Sequence, residues 1–184
     1  MAKRVSNRPE WLNASQVLDI FSVSNCISKN FTDYVNYWKH NGYWFFDSSD
    51  IVEQIAQGNA IDLTGTHLFY YEVYEFEYDE DQCIWKRFDP ALFTTQVVAP
   101  TQKTLEGFDV VNFYAGSTAE CSLLSCNNMA AEVETNSHCL LPSLEGAVRL
   151  LEIGTFNSCE PGPYRVFAVY SVPTDSPDLS TQAF

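Results

Sequence analysis

The sequence predicts an α+β fold: a mixed, mostly antiparallel sheet with helices packed mainly on one face. Three observations carry that expectation. Residues 67–78 and 82–88 are aromatic and β-branched runs on either side of the turn Asp79-Glu80-Asp81, which is the pattern of a long antiparallel hairpin. Residues 143–154 open on a capping serine, Ser143, set Leu144, Ala147, Val148 and Leu151 on one helical face, and close on Gly154. Residues 164–172 form a last long strand, launched by the rigid turn Glu160-Pro161-Gly162-Pro163.

The other elements follow in chain order. Residues 1–9 read as a mobile basic tail, residues 10–172 as a single α+β domain and residues 173–184 as a frayed polar tail. Near Asn13 a short amphipathic helix is expected, with Val17, Leu18, Ile20 and Phe21 clustered on one side. Ile27, Phe31, Tyr34, Val35 and Trp38 recur at helical spacing, and Asn41-Gly42 supplies a left-handed stop. Tyr43-Trp44-Phe45-Phe46 suits a buried strand. After it, Asp47-Ser48-Ser49-Asp50 offers caps, with Glu53 paired to Asp50, for a short helix of Ile51, Val52 and Ile55 that ends at Gly58. Asp89-Pro90 breaks the hairpin, residues 96–99 suggest another strand before Pro100, and residues 108–114 read as a strand buried on both faces. Ser122 or Ser125 is placed to cap a helix running towards Glu132, and Cys139-Leu140-Leu141 reads as a short strand.

Composition limits the classes of function. With 46% hydrophobic and 15% aromatic residues among 184, the chain is globular and long enough for a full core. Its formal charge of −14 opposes nucleic acid and anionic membranes, both of which need a basic surface. Residues 1–40 hold five bases and three acids, residues 41–100 two bases and eleven acids, and residues 101–184 three bases and ten acids. The acidity thus belongs to the body, and a basic protein or a cation is the kind of partner such a field steers. No apolar stretch follows the basic Met1-Ala2-Lys3-Arg4 and no transmembrane run occurs, so a cytoplasmic protein with six reduced cysteines is expected. In that setting the sequons at Asn13 and Asn30 are chance matches.

Three constellations have the residue types for chemistry. Cys121, Cys126, His138, Cys139 and Cys159 include enough soft donors for zinc, but a strand at residues 139–141 would turn His138 and Cys139 to opposite faces, so no metal and no cofactor is expected. Cys121 or Cys126 at a helix start, paired with His138 and oriented by Asn127, Asn128 or Asn136, has the ingredients of a thiol nucleophile. No Gly-rich oxyanion turn or phosphate loop accompanies them. On the hairpin, Glu72, Glu75, Glu77, Asp79, Glu80 and Asp81 lie among Tyr74, Phe76 and Tyr78, the composition of a surface for a basic partner. By parity Glu75, Glu77 and Asp79 share one side of the strand and the three aromatics the other. Reversing those three charges is expected to weaken binding and leave thermal stability nearly unchanged. Isolated His40 and His67 read as structural, whereas Arg165 inside an apolar strand calls for an acidic partner. The expectation is therefore a non-enzymatic, acidic interaction domain of inhibitor or immunity type, with a small thiol-dependent enzyme at Cys121/Cys126–His138 as the alternative.

Overall fold

A computed structural model describes residues 2–4, 6–24, 45–64, 66–88, 97–114 and 119–173 of the chain. The expected helix of Ile27 to Trp38, its stop at Asn41-Gly42, His40, Tyr43, Trp44, Asp89-Pro90 and the residues after Pro173 lie outside them. The elements are β1 (Ala2–Arg4), β2 (Ser6–Asn7), β3 (Asp19–Ile20), α1 (Ser49–Gly58), β4 (Thr66–Asp79), β5 (Ile84–Arg87), β6 (Thr104–Asn112), α2 (Leu144–Glu152) and β7 (Tyr164–Val172). Together they make an α+β fold with an antiparallel sheet in the order β1-β4-β7-β6, while β2 and β3 pair as a separate ribbon.

The fourteen residues of β4 organise the sheet. Its first residues pair with β1 and its last with β5 along one edge, and β7 takes the other edge over nearly the whole length. A register shift between Val73 and Glu77 bends the strand, so one chain segment serves both neighbours. The hairpin turn at residues 80–83 joins β4 to β5, as the aromatic run broken by Asp79-Glu80-Asp81 predicts.

Cross-strand register decides what each face buries. Val110 stands opposite Val166, and α2 lays Ala147 and Leu151 against them, together with Leu123, Leu124, Leu141 and Phe156. Ser143 caps this helix by accepting from the Gly146 amide at 3.0 Å, and Gly154 leaves it with φ 72°. Val111 and Phe167 point the other way, into Phe45, Phe46, Phe113 and the α1 residues Val52 and Ile55. Ser48 is the cap of α1, accepting from Ile51 N at 3.4 Å. Each fully buried Val, Leu or Phe in these layers is worth about 1.5–3 kcal/mol.

Six expectations are corrected. Ala2–Arg4 pair with residues 66–68 instead of trailing as a tail, because β4 presents a free edge that three residues of sequence cannot announce. Residues 13–21 form turns and β3, not a helix: Val17 and Ile20 are buried while Leu18 is 71% exposed, because Leu18 N and Asp19 N bond to Ser137 O instead of to a helical neighbour. Residues 122–132 form successive turns with a 3-10 segment at Met129–Ala131, because Asn128 takes a left-handed φ of 62° that ends helical propagation. Cys139 likewise has φ 60°, so 139–141 is a bend with Leu141 bridged to Phe108, not a strand. Residues 97–99 are not in a strand, and Val98 is 87% exposed. Strand β6 starts at Thr104, earlier than the apolar run suggests, and Gly107 explains why residues 104–107 look like loop. With φ 148° at a register shift, Gly107 lets residues 140–141 approach so closely that a Cβ would sit 2.7 Å from Leu140 Cβ.

Candidate functional site

Of the three hairpin aromatics, Tyr74 and Tyr78 pack against the core. Tyr78 is buried, its ring 5.1 Å from that of Trp85, and Tyr74 meets Trp85 edge-on at 5.8 Å and Phe76 at 5.5 Å. The carboxylates that parity puts on the other face are not equivalent. Glu77 accepts from Arg165 Nε at 3.0 Å and Nη2 at 2.9 Å, and the guanidinium lies over Phe88 and Phe113 at 3.7 and 4.2 Å. This is the acidic partner that Arg165 requires, inside the sheet and not on a binding surface.

The remaining acids divide between internal bonds and solvent. Asp79 binds Lys86 at 2.5 Å and accepts from Gln82 N at 2.9 Å, and the lysine bond first, then that amide, holds its carboxyl below the usual range. Glu80 accepts from Gly162 N at 2.6 Å and from the Tyr164 hydroxyl, tying the hairpin turn to the start of β7. Glu72 is bonded by Lys103 and, at 2.8 Å, by the Tyr170 hydroxyl, and the lysine is the main cause of its lowered pKa. Glu75 and Asp81 face solvent, Glu75 within 3.8 Å of the exposed Arg87.

The thiols and His138 are spread along the sheet. Cys121 N donates to Asn112 Oδ1 at 2.8 Å, at the end of β6, and Cys126 N bonds Ser122 O one turn later. His138 lies at the opposite end of the strand, with Nδ1 2.6 Å from Asp19 Oδ1, Nε2 3.9 Å from Glu106 Oε2, and the ring stacked on Phe21 at 4.1 Å. From Glu106 to Asn112 is about 20 Å of extended strand, so Cys121 and His138 are not brought together. Asn136 orients backbone, accepting from His138 N and Leu140 N and donating to Glu106 O, and Asn128 accepts from Asn13 N. Among the described residues no group of three or more His, Cys, Asp or Glu is arranged to hold a metal ion.

Two thiols are poor nucleophiles by environment. Burial, then the charge of Asp109, pushes Cys139 up to about 12, and burial, then Glu160, Glu132 and Glu80, pushes Cys159 up to about 11. Cys83 is exposed in the hairpin turn. Limited alkylation of the native protein at neutral pH should therefore modify Cys83 first and leave Cys139 untouched. The rise from 9.0 to about 12 leaves Cys139 roughly a thousandfold less thiolate. Peptide mass spectra showing Cys139 labelled as fast as Cys83 would mean that the bend at 136–141 opens in solution.

Sequence reasoning missed two groupings. Asp19 and Glu106 flank His138 from distant parts of the chain, and Lys103 sits among Tyr70, Tyr170 and Glu72. No local spacing marks either, because each is assembled by strand register. The fold and surface define an acidic α+β domain in which, among the described residues, no helix is long and apolar enough to cross a membrane. Compared with known proteins, the chain matches no family model, no curated protein and no solved structure.

Proposed function

We propose that this chain is a non-enzymatic, cytosolic, acidic interaction domain of inhibitor or immunity type that engages a basic protein partner. The observation that carries the reading is the surplus of acids, 24 against 10 bases, which internal pairing cannot absorb. With Glu72, Glu77, Asp79 and Glu80 bonded to other groups of the chain, exposed carboxylates remain among the described residues at Glu10, Asp50, Glu53, Asp62, Glu75, Asp81, Glu132, Glu134, Glu145 and Glu152. Of these, Glu75 and Asp81 lie on the hairpin, Glu145 and Glu152 lie on α2, and Glu152 ties the two by accepting from Trp85 at 3.0 Å. Such a one-sign field raises encounter rates with a basic surface, repels nucleic acid, and weakens as salt rises.

The test is quantitative capture of basic proteins at low and high salt by the parent and by Glu75→Lys/Asp81→Lys, which leaves the buried pairs intact. The variant should retain at least about threefold less of each specific partner at low salt while its thermal midpoint moves by no more than ~2 °C. If it retrieves the same partners as the parent, whereas Cys126→Ser abolishes the biological effect, the reading is wrong and the thiol enzyme takes its place.

A further inference from the structure

Tyr70 and Tyr170 stand directly opposite each other across β4 and β7, their ring centroids 6.0 Å apart and inclined by 46°. Lys103 Nζ lies 4.6 Å from the first centroid and 4.2 Å from the second, and bonds the Glu72 carboxylate. Leu105, 48% exposed, continues the same cross-strand row on β6. Two aromatic faces and a carboxylate around one ammonium are the elements of an aromatic cage, where ring quadrupoles and a fixed negative charge replace part of the cation's hydration.

Host and guest are held differently. The host is built on strand positions: Tyr70 and Glu72 on β4, Tyr170 on β7, with the Tyr170 hydroxyl fixing Glu72 at 2.8 Å. None of those restraints involves Lys103, which precedes β6 and lies outside the ladder. The host side chains thus stand on the sheet, and Lys103 is the member of the group that comes from outside it. We propose that Tyr70, Tyr170 and Glu72 form a receptor for a lysine or N-methylated lysine side chain of the basic partner, and that Lys103 is an internal stand-in which such a side chain displaces.

The proposal deepens the interaction reading and rests on it for the identity of the guest, but a small probe tests the cage itself. The probe is N-acetyl-trimethyllysine methyl ester, whose N-methyl protons shift upfield when held against aromatic faces. Lys103→Ala should shift that signal saturably and bind about tenfold tighter than the parent, because an internal competitor reduces apparent affinity by the fraction of time the cage is empty. Lys103→Ala/Tyr170→Leu should remove the shift while keeping the parent's circular dichroism. Lys103→Ser serves as the second opening variant if the alanine protein folds poorly. No saturable shift with a folded opening variant overturns the proposal, as does a shift that persists without Tyr170. If the cage fails while salt-dependent capture persists, the ammonium receptor falls and the acidic surface stands. If the probe binds while capture is absent, the cage stands without the partner reading.

Discussion

Glu77→Ala is expected to lower the folding free energy by about 3–5 kcal/mol, the cost of taking a bonded carboxylate away from a buried guanidinium. Arg165 is 5% exposed and sandwiched by Phe88 and Phe113, so its guanidinium cannot turn to water when Glu77 is removed. In a chain of this size the thermal midpoint should fall by about 10 °C. Glu75→Ala, two residues away on the same strand, should move stability by no more than about 0.5 kcal/mol, because its ion pair with Arg87 is solvent-exposed and 3.8 Å long. The contrast corrects the sequence expectation that reversing Glu75, Glu77 and Asp79 together leaves stability nearly unchanged. Glu77→Ala denaturing at the parent's midpoint would show that the Arg165 pair contributes nothing to the fold.

Asp109→Ala should cost at least about 3 kcal/mol, since it removes the acceptor for several buried donors at once. Asp109 is fully buried on β6 and accepts from Ser22 Oγ at 2.5 Å, Ser122 Oγ at 2.6 Å and Val23 N at 3.2 Å. Those donors come from chain segments on either side of the strand, so one carboxylate fastens residues 22–24 and the 119–126 turns to the sheet. Tyr71 adds to the same knot, donating to Ser22 O at 3.1 Å, and burial, then Asp109, raises its hydroxyl well above the ordinary pKa. Asp109→Asn should cost less than alanine, because its amide oxygen still accepts although its nitrogen does not. Beyond the global loss, the Val23 amide should exchange with solvent faster in the alanine variant. Parent-like stability with unchanged Val23 protection would mean that both serines find other acceptors.

The sequence by itself determined the elements whose signal is local. The hairpin follows from two aromatic and β-branched runs around Asp79-Glu80-Asp81, β7 from the apolar run between the Glu160–Pro163 turn and Pro173, and α2 from Ser143, four apolar residues at helical spacing and Gly154. Even the need of Arg165 for an acid was legible, because a charge among Val, Phe and Ala has few other fates. Tertiary structure alone decided which acid answered it. Six carboxylates on the hairpin were equivalent by composition, and the register of β4 on β7, with its shift between Val73 and Glu77, set Glu77 against Arg165 and left Glu75 in solvent. The turns at 122–132 and 139–141 were misread as helix and strand because groups there bond to the side chains of Asp109, Asn112 and Asn136, the Ser122 hydroxyl to Asp109 and the Cys121 and Leu140 amides to the two asparagines, contacts that no periodicity records. The His138–Asp19 pair and the Lys103 cage were out of sight for the same reason. A short-range pattern fixes which face a side chain takes, but strand register fixes what it meets there.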